Sequence, residues 1–287
     1  QPNQCQHVTY NVDKKLGAFG LLKSNHQKDH NATPGTTRPL LCAWEDGFQL
    51  YDIEQNVKLS PYSQGEDVNP QKGLSRLNDG RTDVLGKRFI CGGYFGGDEA
   101  IRMKVFAVEQ EKSSGTLQHQ AIVEDIQITN SLCFSPDGRT MYLADSPTKQ
   151  IYAYDYNNSH NGEPIASNKT LLQSKEPNTL HGVPDGSCVD REGYLWNAVW
   201  RTDTNESGLV QRVDPQTGEV VFTVDIPHGT SQVSCCCFGG RNLDILFITT
   251  AAEFLDRDAS NQPHAGGLYA VQLPFQGRPE ARLDFSF

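Results

Sequence analysis

The chain has 287 residues, with 35 acidic and 25 basic side chains and a formal net charge of −10. No basic block offsets that balance, which argues against a nucleic-acid backbone as partner. With 37% hydrophobic and 21% charged residues, the composition is that of a soluble globular protein long enough to bury a large core. No apolar run reaches the roughly 18 residues of a transmembrane helix, so no membrane partner is expected.

Taken in chain order, the expected elements are almost all short strands. Residues 1–16 carry one outer strand, at 7–12. The stretch 25–37 reads as a loop, because it lacks apolar periodicity. A first unit covers residues 18–60, with strands at 40–44 and 47–51. Three clearer copies follow. Asn78-Asp79-Gly80-Arg81-Thr82-Asp83 leads into a strand at 88–92. Asn130-Ser131-Leu132-Cys133-Phe134-Ser135-Pro136-Asp137-Gly138 leads into one at 141–145, and Asp185-Gly186-Ser187-Cys188-Val189-Asp190 into one at 194–198. A weaker copy starts at Ser234. The leading positions 78, 130, 185 and 234 are spaced by 52, 55 and 49 residues. The segment 109–120 between two copies reads as another loop.

Each copy has a polar leading residue, a short apolar strand, a turn closed by Gly and a second strand. Third strands follow at 150–156, 208–214 and 267–273, and a fourth at 220–224. Four strands per unit with Gly, Pro and Asp turns describe a blade of a β-propeller. The fold class is therefore all-β, one propeller domain over residues 1–287, with five blades and scraps of a sixth. The strand at 7–12 and another at 281–285 are those scraps. The chain opens at Gln1, and no signal peptide is read there. An incomplete N-terminal blade is expected.

Inner propeller strands begin near a central channel, so the leading residues share one space. Asn78, Asn130 and Asp185 would meet there, with Arg76 beside the first. A carboxylate and amide oxygens suit a hard divalent cation. An Arg suits an oxyanion or a sugar hydroxyl. The competing reading is turn chemistry, in which Asn and Asp bond only the local backbone.

These motifs, with Leu195-Trp196-Asn197-Ala198, Arg212-Val213-Asp214-Pro215, Ser234 to Gly240 and Ala265-Gly266-Gly267-Leu268-Tyr269, resemble the SMP-30/gluconolactonase (regucalcin-like) family over roughly residues 70–275. The resemblance implies a six-bladed propeller holding one divalent cation, Ca²⁺ foremost, with Zn²⁺, Mn²⁺ or Mg²⁺ as alternatives. It implies Asn130 and Asp185 as metal ligands. It places Arg76, Asn78 and Asp79 at the substrate, and Asp185 as the base. The family's first ligand, a Glu in a G-E-x-P segment opening blade one, has no match. Only Gly65-Glu66-Asp67 comes near, too late and in a loop.

The function implied is metal-dependent hydrolysis of a small-molecule sugar lactone. The cation would polarise the carbonyl and Asp185 would activate water. An organophosphate esterase and a non-catalytic calcium-binding propeller are the alternatives. A WD40-type platform ranks last, for want of its signature.

Other residues read blandly. Eight cysteines without C-x-x-C spacing read as buried, reduced thiols in a cytoplasmic protein. Cys235-Cys236-Cys237 should pack on an inner strand with alternate faces. Trp44, Trp196 and Trp200 read as core or channel-wall aromatics, with Trp200 the best of the three for lining a pocket, and His181 reads as a loop residue. Four N-x-S/T sequons, at Asn31, Asn157, Asn168 and Asn205, read as chance matches in polar loops.

Overall fold

The computed structural model describes residues 9–23, 39–53, 55–97, 101–159, 165–174, 182–201, 203, 206–227, 230–255 and 262–285. Its strands form five antiparallel sheets in chain order. The first contains Leu16–Leu21 (β1), Pro39–Trp44 (β2), Gly47–Asp52 (β3) and Val57–Gln64 (β4). The second contains Ser75–Thr82 (β5), Phe89–Phe95 (β6), Met103–Gln110 (β7) and Leu117–Ile126 (β8). The third contains Thr129–Phe134 (β9), Thr140–Asp145 (β10), Gln150–Tyr156 (β11) and Ala166–Ser174 (β12). The fourth contains Val183–Val189 (β13), Leu195–Trp200 (β14), Leu209–Val213 (β15) and Val220–Asp225 (β16). The fifth has three strands, Val233–Gly239 (β17), Ile245–Thr250 (β18) and Leu268–Gln272 (β19).

The inner strands pack side by side in the order β1, β5, β9, β13, β17. That arrangement is a β-propeller of five blades. Its core is divided among the blade interfaces, as expected when each sheet is apolar on both faces. Leu41, Phe48, Phe89 and Phe106 fill the space between the first two sheets. Ile90, Val105, Met141 and Leu143 fill the next, and Cys133, Tyr142, Leu195 and Val213 the third. Trp196, Val210, Phe238 and Leu246 fill the last. The outermost strands are more polar. In β16 nearly every residue is exposed.

Residues 276–284 cross the ends of all five sheets. The Arg191 N–H donates to the Gln276 carbonyl at 2.8 Å and the Gly277 N–H to that of Leu243 at 2.7 Å. The Arg278 guanidinium donates to the Pro136 carbonyl at 3.0 Å. Glu280 meets Arg81 at 3.4 Å. The Leu283 N–H donates to Leu21 at 2.8 Å and the Asp284 N–H to Gly86 at 2.8 Å.

Three strand expectations need correction. Residues 109–120 are not one loop. They are the end of β7, a turn at 111–116 and the start of β8. The spacing is hard to read because β8 buries only scattered positions such as Leu117 and Val123. Residues 9–12 of the expected strand at 7–12 are irregular, and 7–8 lie outside the described residues. The strand at 281–285 reduces to one bridge, Leu283 beside Leu22. The loop at 25–37 also lies outside the described residues. The sixth blade of the family pattern is not found among the described residues. No helix there is long and apolar enough to cross a membrane.

Gly17 sets how closely the first two sheets approach. A Cβ on it would lie 2.4 Å from the Leu77 carbonyl oxygen. Gly17→Ala is therefore expected to destabilise the protein by about 1–3 kcal/mol, readable as a lower urea midpoint at unchanged slope.

Candidate active site

The leading residues of the repeats converge. Asn78, Asn130, Asp185 and Ser234 line one cavity of about 790 Å³ at the start of the inner strands, together with Gly17, Arg76 and Asp79. Gly17 is the counterpart on β1, and it presents backbone where the other four present a polar side chain.

Asn78 and Asn130 are joined directly. The Asn78 amide nitrogen donates to Asn130 Oδ1 at 3.1 Å and to the Thr129 carbonyl at 2.8 Å. Asn130 Nδ2 donates to Ser146 Oγ at 2.7 Å, which fixes the amide with its oxygen toward Asn78. Ser146 in turn donates to the Pro184 carbonyl at 2.7 Å. Arg76 donates to Asn78 Oδ1 and stacks over Tyr94, 4.3 Å from the ring centroid.

Asp185 is held by its backbone. Its carbonyl accepts from Ser131 Oγ at 2.7 Å and from Asn197 Nδ2 at 3.1 Å. Ser131 adopts φ +57°, a conformation that turns its hydroxyl across to β13. The Asp185 carboxyl accepts the Gly186 N–H, and no side chain among the described residues donates to it. Burial pushes this carboxyl well above the ordinary carboxylate range, and the charge of Asp79 adds to the effect. Asp79 has a second engagement: its Oδ2 accepts the Leu132 N–H at 2.9 Å and ties β5 to β9.

Among the described residues, no group of three His, Cys, Asp or Glu side chains is placed to hold a metal ion. Asp185 and the Asn130 amide oxygen line the same cavity, together with the carboxyls of Asp79 and Glu253. A poorly compensated buried carboxyl beside a fixed amide oxygen fits a hard divalent cation. Glu66 lies in the turn after β4 and does not line the cavity.

Trp200 is a cavity wall, while Trp44 and Trp196 are buried in the core. Cys236 packs in the core, and Cys235, the next residue along the strand, lines the cavity. The described cysteines are all free thiols, and Cys5 lies outside the described residues. His181 also lies outside them. Sequence reasoning missed Tyr94, Ser146, Gln232 and Glu253 as cavity residues. Glu253 follows β18 in a loop that no repeat aligns.

A β-propeller whose inner-strand leaders form a polar, acid-lined pocket defines the class. The chain belongs to the SMP-30/gluconolactonase/LRE-like family, whose model matches residues 6–252. It is 31% identical to regucalcin of Gallus gallus over 71% of this chain and 64% of that protein. The chain therefore covers less than two thirds of that relative's length. It is 28% identical to the putative sugar lactone lactonase YvrE of Bacillus subtilis (strain 168), over 92% of this chain and 80% of the relative. The solved structure of a calcium-binding protein, regucalcin, from Agrobacterium tumefaciens superposes with a TM-score of 0.74 at 25% identity, covering 97% of this chain and 82% of that one.

Proposed function

We propose that the chain carries the site of a metal-dependent hydrolase that opens a sugar lactone or related cyclic ester. The observation that carries this reading is the convergence of Arg76, Asn78, Asn130 and the Asp185 carboxyl on one cavity. Family membership and the names of two relatives, a putative sugar lactone lactonase and a calcium-binding protein, support it.

Asn130 and Asp185 would hold the cation, Ca²⁺ first among Zn²⁺, Mn²⁺ and Mg²⁺. Bound there, a divalent cation supplies Lewis-acid polarisation of the lactone carbonyl. The Asp185 carboxylate orients the attacking water and accepts its proton. Arg76 and Asn78 hold the substrate oxygens, with the Tyr94 ring fixing the plane of the guanidinium. The water oxygen bonds to the carbonyl carbon, the ring C–O bond breaks, and the ring oxygen takes the proton held on Asp185 and leaves as a hydroxyl. The product is a hydroxy-carboxylate. Asp79 is a positioning residue, since one of its oxygens already bonds β9.

The test is δ-gluconolactone hydrolysis by metal-stripped protein, with Ca²⁺, Mn²⁺ or Zn²⁺ restored and chelator as control. Turnover that requires the cation is expected. Cation-dependent thermal stabilisation without turnover of any lactone or phosphotriester would favour a binding propeller instead.

A further inference from the structure

We propose that the cavity accepts a lactone bearing an apolar substituent, an alkyl chain or an aryl ring, packed against a rim formed by Trp200 and Phe254. This rests on the lactonase reading and narrows its substrate class. The cavity lining mixes polar and apolar groups. Arg76, Asn78 and Asn130 are linked by hydrogen bonds, and Asp185 lines the same space. Ile128, Val183, Trp200, Phe254 and Leu255 supply an apolar wall. A bare polyhydroxy ring offers hydroxyls in every direction, and those five side chains offer them only the Trp200 indole, with the Gln232 amide already committed to the Glu253 backbone. Hydroxyls facing that wall would lose water without replacement, which is costly.

Phe254 is the second observation. It is 98% exposed, and its backbone sits at φ +56°. A bulky residue in the left-handed region is strained, and the exposed ring gains no packing in compensation. The rim is nonetheless tied down. Gln232 Nε2 donates to the Glu253 carbonyl at 2.9 Å, and the Glu253 N–H donates to Gln232 Oε1 at 2.8 Å. The Ala251 N–H donates to the Gln232 carbonyl at 2.8 Å. Gln232 also bridges to Trp200. One residue thus fixes both aromatics at the mouth. Such an aromatic gains packing only when an apolar group covers it. Asp79, Asp185 and Glu253 line the same space, so a neutral ester is favoured over an anion.

The test separates binding from turnover. The probes are 6-methyl- and 6-hexyl-2-piperidone, lactams that copy a δ-lactone ring and resist hydrolysis, titrated into the 287-residue chain by calorimetry. The hexyl compound is expected to bind about tenfold tighter, an effect of burying part of the added chain. Phe254→Ser should cut that ratio about threefold, while Phe254→Leu should keep most of it. A hexyl-to-methyl ratio near one overturns the proposal, as does tighter binding of a polyhydroxylated lactam. The matching lactones are then assayed. Chain-length preference in binding without turnover of any lactone keeps the apolar rim and sinks the lactonase reading. Turnover without chain-length preference in either assay does the reverse.

Discussion

Asp185→Ala should abolish cation-dependent lactone hydrolysis, lowering kcat by about 10³-fold or more. General-base catalysis alone accounts for about 10²–10⁴, and loss of a carboxylate proposed to hold the cation with Asn130 would remove Lewis-acid assistance as well. The variant should still fold. The Asp185 carbonyl, which Ser131 and Asn197 grip, survives the substitution. The side chain removed is a buried carboxyl with a single backbone partner, the Gly186 N–H. Its loss relieves desolvation, so the metal-free variant should melt no lower than the parent. Two measurements check this: kcat with saturating cation, and the melting temperature with and without it. In the parent the cation raises the melting temperature by mass action, and in the variant that rise should vanish. Full turnover by Asp185→Ala would end the proposed mechanism.

The largest stability loss is expected at Asp190. Its carboxylate is buried and fully engaged. Oδ2 accepts from Trp196 Nε1 at 2.9 Å and from Arg212 Nε at 2.8 Å. Oδ1 accepts the Glu192 and Tyr194 N–H groups at 3.0 and 2.9 Å. Arg212 lies between Tyr194 and Phe275, 3.7 and 4.3 Å from their centroids, and so cannot swing out to water without unstacking. Removing Asp190 strands this guanidinium with only Glu192, which is largely exposed. Breaking a buried pair from one side costs about 3–5 kcal/mol. Asp190→Ala should lower the unfolding free energy by that amount in urea, and Asp190→Asn by less, since an amide oxygen can still accept. A loss below about 1 kcal/mol would mean that Arg212 is held by stacking alone.

Most of the architecture was legible because each blade repeats one pattern: a polar leader, an apolar inner strand, a Gly-closed turn and a second strand. The inner strand β9 and the second strands β2, β6, β10 and β14 are buried on both faces, so they read as apolar runs. Outer strands bury scattered residues, and β8 was lost for that reason. The convergence of Asn78, Asn130 and Asp185 followed from repeat position. Gly17 did not, because it contributes backbone where the others contribute a side chain. Tyr94, Gln232, Glu253 and Phe254 were invisible for a different reason. They lie at strand ends or in a loop where the repeat carries no signal, and only the tertiary arrangement turns them toward the cavity.

The stretch 276–284, which touches every sheet, has a kinetic consequence. Leu283 bonds the backbone of Leu21 and of Lys23, so the contact closes over most of the sequence. Such pairings are slow to form, since loop closure must precede any gain. During synthesis the first sheet emerges long before its partner residues do. Blades made early must therefore wait, with the latch that spans them arriving only after the fifth sheet has left the ribosome.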